Sequence, residues 1–532
     1  MYRLILAFVL AFVVSGNLCL GQKLEVEKAI IYIPHDDRPI SMEQTADVVK
    51  RAGYRIIMPP REFLGNRNSL GNPEMLWKWY EAVMKKASKD KTKDIVASVV
   101  SSDAMLYGSL VASRKHSFTE KELLFRVKKF KELKKKYPDT FLYVFSSIMR
   151  TPKNGAASGH MEPEYYASYG EDIFRYTALI DKKESDGLND RNKRELEFLT
   201  SIIPRKALYD WQVRRNKNLN VNKALMDLAR SSTFDYLLLG RDDNAPYSAT
   251  HQEKRKLISY GVNISKDTER TAAGIDEAGM LLLTRAVLKD RSLSPNVFVR
   301  YNWGSGEFVV PSYSDEAIDY SVNDAIEITG ANRVDNIKEA NLVLAVNTNP
   351  NGKTGDAALY SNDGAAREGT GYFAETIEEY IDMKKPVVVA DIALANGADN
   401  ALMEALKKRG LLFKLTGYAG WNTATNSTGF AVAAGLLAKD MTTSDKNALL
   451  KTRYLDDWMY QGNVRNIVAR QLTWLKGDGV YGALNDKKGW AEERVANIME
   501  SFLREDLPMV NIKDVDITLP WNRMFEANIR TK

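Results

Sequence analysis

Two apolar runs in this chain end on tandem aspartates. Ala29-Ile-Ile-Tyr-Ile33 leads into His35-Asp36-Asp37-Arg38-Pro39, and Tyr236-Leu-Leu-Leu-Gly240 leads into Arg241-Asp242-Asp243-Asn244. Adjacent carboxylates repel, which raises the pKa of one of them, so such a pair suits a general acid beside an orienting partner, or the grip on a cation. Strand alternation sends Asp242 and Asp243 in different directions, one toward an open face and one into a supporting network. Structural readings stand beside these: Asp242 pairs with Arg241 or caps a helix, and an Asp–Arg pair within Asp36-Asp37-Arg38-Pro39 ties down the first loop.

Other apolar runs end in polar or aromatic clusters: Ser101-Ser-Asp103 through Tyr107, Ser146 through Arg150, Asn302-Trp303, Asn347-Thr-Asn349, Asp391 with Asn396, and Trp421-Asn422. Carboxylates, amides and aromatic faces are the groups that bind sugars and cleave glycosidic bonds. Asp242 and Asp243 are therefore the candidate catalytic pair. Asp36, Asp37, Arg38, Asp103, Tyr107, Asn244, Asn302, Asn347, Trp421 and Asn422 are the candidate binding residues. Trp421 is read either as an exposed stacking face or as a cap on the core. Asp276-Glu277 opens a helix, where an acidic pair first complements the helix dipole. Asp456-Asp457-Trp458, with Arg465 two turns on, reads as a salt-bridged helix surface.

Several chemistries are disfavoured. The single cysteine, Cys19, falls in an N-terminal stretch that reads as a cleaved signal peptide, so the mature chain is expected to have neither thiol nucleophile nor disulfide. Four histidines at scattered positions fit no zinc motif. Gly304-Ser-Gly306 and Gly369-Thr-Gly371 lack the third glycine of a dinucleotide fingerprint, and no phosphate loop or Gly-x-Ser-x-Gly elbow occurs. No organic cofactor or resident metal is expected. A divalent cation on Asp36, Asp37 or Asp103 is the competing expectation, since hard cations take oxygen ligands.

The elements that must position these residues alternate. Short β-branched runs at 29–33, 54–58, 95–100, 141–145, 236–239, 297–301, 342–346, 387–390 and 415–418 are separated by amphipathic stretches, which predicts an α/β fold. Ser41-Met-Glu-Gln44 and Thr119-Glu-Lys-Glu122 read as capping boxes. A ring of polar strand ends favours a (β/α) barrel-like catalytic region, with doubly wound α/β domains as the alternative. Residues 22–427 form this region, 350–372 a turn-rich loop or boundary, and 428–532 a mainly helical C-terminal region with a long amphipathic stretch from 445 to 475.

Met1-Tyr-Arg3 followed by Leu4–Val14 reads as a signal peptide of residues 1–21, cleaved before Gln22, which predicts a periplasmic or secreted protein. The net charge of +6 falls by one when Arg3 leaves. The basic residues crowd solvated helix faces such as 128–136, so no nucleic-acid partner is expected. No second long apolar segment follows, so no membrane span is expected after cleavage. The expected partner is a carbohydrate substrate.

Taken together, His35-Asp-Asp-Arg-Pro39, Ser102 through Ser109, Gly240-Arg-Asp-Asp-Asn244, Ile275-Asp-Glu-Ala-Gly279, Gly420-Trp-Asn-Thr423 and Tyr454-Leu-Asp-Asp-Trp458 resemble the bacterial family known as domain of unknown function 4127. The resemblance covers nearly the whole mature chain and implies one functional unit, with no activity attached. The Asp-Asp after a strand is also similar to the paired aspartates of glycosidases that hydrolyse N-acetylhexosaminides with substrate assistance. That resemblance implies that Asp242 orients the acetamido group, that Asp243 is acid/base, and that Trp421, Asn422 and Asn302 bind sugar. The sequence leads to an exported glycoside hydrolase, with a metal-dependent hydrolase and an envelope carbohydrate-binding protein as alternatives.

Overall fold

The computed structural model describes residues 27–90, 93–153, 161–367, 369–474 and 479–531. The expected signal peptide lies outside them. The first half carries β1 (Glu27–Ile33), β2 (Arg55–Ile57), β3 (Lys93–Ser101), β4 (Phe141–Ile148), β5 (Tyr236–Arg241) and β6 (Glu269–Ala273). They form one parallel sheet in the order β2-β1-β3-β4-β5-β6. The second half carries β7 (Asn296–Tyr301), β8 (Asn332–Val334), β9 (Leu342–Asn347), β10 (Gly355–Asp356), β11 (Val387–Asp391), β12 (Leu394–Ala395) and β13 (Gly417–Ala419). Five of these make a second parallel sheet, β13-β11-β9-β7-β8, and β10 pairs with β12 apart from it.

The α/β class is as the sequence predicts, but the strands do not close into a barrel. In each sheet the first strand lies inside and the chain departs to either side of it, β2 and β3 flanking β1 as β8 and β9 flank β7, so both sheets keep free edges. The doubly wound alternative describes the fold. Every predicted strand lies in one of these two sheets, while β6 and β8 escape the pattern because both are short, part-exposed edge strands, as do the two-residue β10 and β12. Such sheets bind ligands beyond the carboxyl ends of the strands, where the winding reverses. Here those points follow β1 and β3 in one sheet and β7 and β9 in the other.

Two buried helices lie between the sheets. Ala278–Asp290 packs on the first, and Ala424–Ala438 on the second, with every residue of the latter except Ala434 buried. Its small residues permit close approach: a Cβ on Gly435 would sit 2.9 Å from the Val388 side chain, and one on Gly429 would sit 2.4 Å from Cγ of Glu277. One apolar core therefore runs from Val99 and Leu238 through Leu282 and Val432 to Leu344 and Val388.

The C-terminal region is helical, as expected, with helices Thr443–Arg453, Arg465–Trp474 and Lys488–Asp506. The stretch is interrupted by a π-helix at Tyr454–Val464, and the chain ends in an antiparallel pair, β14 (Val515–Thr518) with β15 (Asn528–Thr531). Two local expectations change. The Thr119 capping box forms, but Ser41 lies inside a second π-helix, Ile40–Gln44, and its hydroxyl faces His35 at 3.1 Å. Asp456, Asp457 and Trp458 are buried in a π-helix rather than spread on a solvated surface, because this segment packs against the helices Asn400–Lys408 and Lys488–Asp506, with Arg453 paired to both aspartates and the Gly420 N–H donating to Asp457.

Candidate functional site

Immediately after β1 the loop folds on itself. Asp36 Oδ1 accepts from the Arg38 backbone N–H at 3.1 Å, and Oδ2 accepts from Arg38 Nε at 2.8 Å. The Asp–Arg pair of the structural reading thus exists, with Asp36 as the partner, and Arg38 carries it further. Its guanidinium also donates to both oxygens of Asp276, at 2.5 and 3.3 Å, beyond the end of β6. Asn422 and Asn426, from the start of the helix Ala424–Ala438, donate to Asp276 Oδ2 at 3.2 and 3.3 Å. Asp276 is thus where the two halves meet. Burial opposes its charge, but Arg38 and His35 outweigh burial and hold the carboxyl well below the usual range. His35, 3.3 Å from Asp276 and 3.5 Å from Asp36, moves the other way: burial disfavours its charge, the two carboxylates favour it, and its pKa is raised.

The second tandem pair lies just past the end of β5, and both aspartates line the cleft rather than parting as strand alternation would send them, because Asp243 takes a left-handed backbone turn. Asp242 is buried and ion-paired with Arg114. Asp243 keeps 30 % of its side-chain exposure and accepts from Arg150 Nη1 at 2.9 Å. The fully buried Glu162 bridges the two arginines, accepting from Arg150 Nε at 2.8 Å with Arg114 at 3.5 Å. Cleft walls that desolvate Asp243, and then the Asp242 charge, raise its pKa against the pull of Arg150 and Arg114. Asn244 ties this turn to the opposite wall, its N–H donating to the Tyr313 carbonyl at 3.1 Å.

These residues line a cleft of about 410 Å³ between the halves. Asp36, Arg38, Asp242, Asp243, Asn244, Asp276 and Asn422 face it, with Arg114 and Arg150. Aromatic walls come from Tyr313, Tyr481, Trp521 and Phe525. Five lining residues hold left-handed backbone: Asp243, Tyr313, Asn396, Asn422 and Trp521, with φ of 31°, 66°, 65°, 61° and 57°. Asparagine tolerates that region, but tyrosine and tryptophan pay for it, and such strain gathers at functional sites.

The remaining predicted residues sit elsewhere. Asp37 stands at the margin of the cleft, its Oδ1 2.6 Å from the Trp521 indole nitrogen. Asp103 lies behind the cleft, accepting from the Ser147 N–H and hydroxyl at 2.9 Å each, and burial raises it to about 6. Tyr107 is buried against the His116 ring. Trp421 is 2 % exposed and packs edge-on against Phe430, so it caps the core and offers no face to a sugar. Asn302 and Asn347 form a separate buried chain at the second sheet's reversal point. Asn302 donates to Asn347 at 2.8 Å, and Asn347 donates to Asp391 and Asp399 at 2.8 and 2.9 Å.

Among the described residues no group of three or more His, Cys, Asp or Glu side chains is arranged to hold a metal ion. Asp36, Asp37 and Asp103 each serve a different partner. Sequence reasoning named Arg150 only as the end of a polar strand-end cluster, and missed Arg114, Glu162 and the C-terminal wall. These are lone residues without a motif, and Trp521 reaches the cleft from the far end of the chain. Asp276 carried a signal as an acid at a helix start beyond a strand, but the dipole explanation took precedence.

A family model described as Protein of unknown function (DUF4127) matches residues 30–530. No curated protein matches the sequence. Among solved structures, a chain from Listeria monocytogenes provisionally named a UDP-N-acetylglucosamine 2-epimerase aligns at 11% identity. The alignment covers 85% of this chain and 98% of that one, and its TM-score of 0.13 carries no argument.

Proposed function

This chain belongs to the DUF4127 family, and we propose that it is an exported glycoside hydrolase whose acid is Asp243. The observation that carries this reading is a pair of carboxylates on one cleft pushed in opposite directions: Asp243 upward and Asp276 downward. Environments that separate two carboxyl pKa values assign one as the proton donor and the other as the standing anion. Asp243, part-exposed, protonates the leaving oxygen. Asp276, ionised, stabilises the positive charge that develops on the sugar ring. Asp242, held by Arg114, orients the substrate, and Tyr313 and Trp521 offer ring faces to it.

Release of reducing sugar from a broad panel of glycans and aryl glycosides tests this, with the protein and its Asp243→Asn variant in the same run. Cleavage that falls about 10²- to 10⁴-fold in the variant is the expected result, the range for loss of a general acid. Cleavage that survives the substitution overturns the assignment of Asp243. The cleft between two halves favours a second reading, a carbohydrate-binding protein. In that case sugars raise the melting temperature and no product forms.

A further inference from the structure

A second cavity, of about 310 Å³, lies on the seam between the halves, outside the cleft and sharing none of its lining residues. Its volume is at the lower end of the range of about 300–1,000 Å³ typical of small-molecule sites. The floor is apolar: Ile40 and Val48 from the first half, Met280 and Phe430 from the two buried helices, Leu450, and Ile529 of β15. Four cations line it, Lys50, Arg51, Arg453 and Arg530, against two carboxylates, Glu43 and Asp47.

The cations are not equally available. Arg51 is paired with Asp47 and Asp445, and Arg453 with Asp456 and Asp457. Glu43 is taken by Arg61. Lys50 is exposed and has no ion-pair partner among the described residues. Arg530, with 60% of its side chain exposed, makes a long ion pair with Glu43 at 3.7 Å and donates from Nε to Asn528 Oδ1 at 3.3 Å. The cavity thus joins an apolar floor to one cation without an ion-pair partner among the described residues, Lys50, and one held only by a long, exposed pairing, Arg530. We propose that it binds an amphipathic organic carboxylate, its hydrocarbon part on the floor and its anionic end between Lys50 and Arg530.

The cavity also touches the apparatus that holds Asp276. The two π-helices meet beside it, where Gln44 Nε2 donates to Asp456 Oδ2 at 3.1 Å and Arg453 bonds Gln44. The neighbouring Asp457 accepts from the Gly420 N–H at 2.8 Å, two residues before Asn422. Rare π-helical turns concentrate at functional sites, and here Ile40, Glu43 and Gln44 of the first of them line the cavity. A ligand on this floor bears on the same turn that follows Arg38.

Calorimetric titration with decanoate, decanol and decyltrimethylammonium tests the proposal without any assay of activity. The expected result is one decanoate per chain, bound at least tenfold more tightly than either control. The Lys50→Glu/Arg530→Glu double variant, altered only at exposed positions, loses at least tenfold in decanoate affinity, and Ala434→Trp, which fills the cavity, abolishes binding. Absence of decanoate binding, equal binding of the three probes, or unchanged affinity in the double variant overturns it. Should Ala434→Trp fail to fold, the double variant alone decides. Each of these outcomes stands whether or not the cleft cleaves glycans.

Discussion

The indole nitrogen of Trp521 donates to Asp37 Oδ1 at 2.6 Å, across 484 residues of chain. The partners are the first acidic loop and the segment between the last two strands, so the C-terminal end of the protein forms a wall of the cleft that the N-terminal strand opens. Arg38 and Arg523 flank the same ring, 5.4 and 5.0 Å from its centre. Trp521→Phe keeps the ring and removes the donor. Loss of one hydrogen bond to a charged group costs about 1.5–3 kcal/mol, read as a lower urea midpoint. The Asp37 carboxyl, already raised by burial and partly restrained by this bond, rises further, which carboxyl NMR follows directly.

Asp276→Asn tests the junction. Arg38 and His35 would be left beside a neutral amide in a buried site, and removing one partner of a buried ion pair costs about 3–5 kcal/mol. The pH dependence has a definite sign. The folded-state pKa of Asp276 is depressed, so its stabilisation is complete above the unfolded value of about 3.9 and declines as pH falls below it. Wild type and variant therefore converge in stability on acidification below about pH 4, and equilibrium urea curves at several pH values show it.

Glu277 behaves in the opposite sense. Burial, with the Asp276 and Asp242 charges adding to it, raises this carboxyl to about 8, and one of its oxygens has no hydrogen-bond partner. A carboxyl whose folded pKa exceeds its unfolded value of about 4.3 destabilises the fold progressively as pH rises between the two. Glu277→Gln, nearly equal in volume, removes that slope. The variant gains on wild type between pH 5 and 8 and holds the gain above, as measured by denaturant unfolding.

Under the hydrolase reading, Asp243 works protonated, so activity falls as pH rises through its raised pKa. Arg150 opposes that elevation. Arg150→Met therefore moves the alkaline limb of the pH–rate profile to higher pH, while Asp243→Asn removes the limb with the activity. An alkaline limb unmoved in Arg150→Met would detach it from Asp243.

The fold was legible because its buried strands are apolar on both faces and stop on polar residues. Tyr236–Arg241, wholly buried, ends on Asp242 and Asp243, and the strand end located half of the cleft. Sheet closure was not legible, because the same alternation of strands and helices writes a barrel or an open sheet, and only strand order separates them. Trp421 was misplaced for a related reason: a tryptophan beside two amides reads alike whether its ring faces sugar or Phe430. Arg114, Arg150 and Glu162 matter through one another and through Asp242 and Asp243, and nothing along the chain says that residues at those separations will meet.

The single core that passes through both buried helices has a mechanical meaning. A protein of two halves with a groove between them invites comparison with jaws, yet here the jaws share a root. Leu282 and Val432 are packed in the same apolar body as the strands on either side, so opening the groove wide would mean exposing that body to water. Under the hydrolase reading the cleft walls are set before substrate arrives, and binding need not supply the free energy of closing them. What such a groove admits is decided by its entrance and its wall of aromatic rings, in the manner of a socket more than a hand.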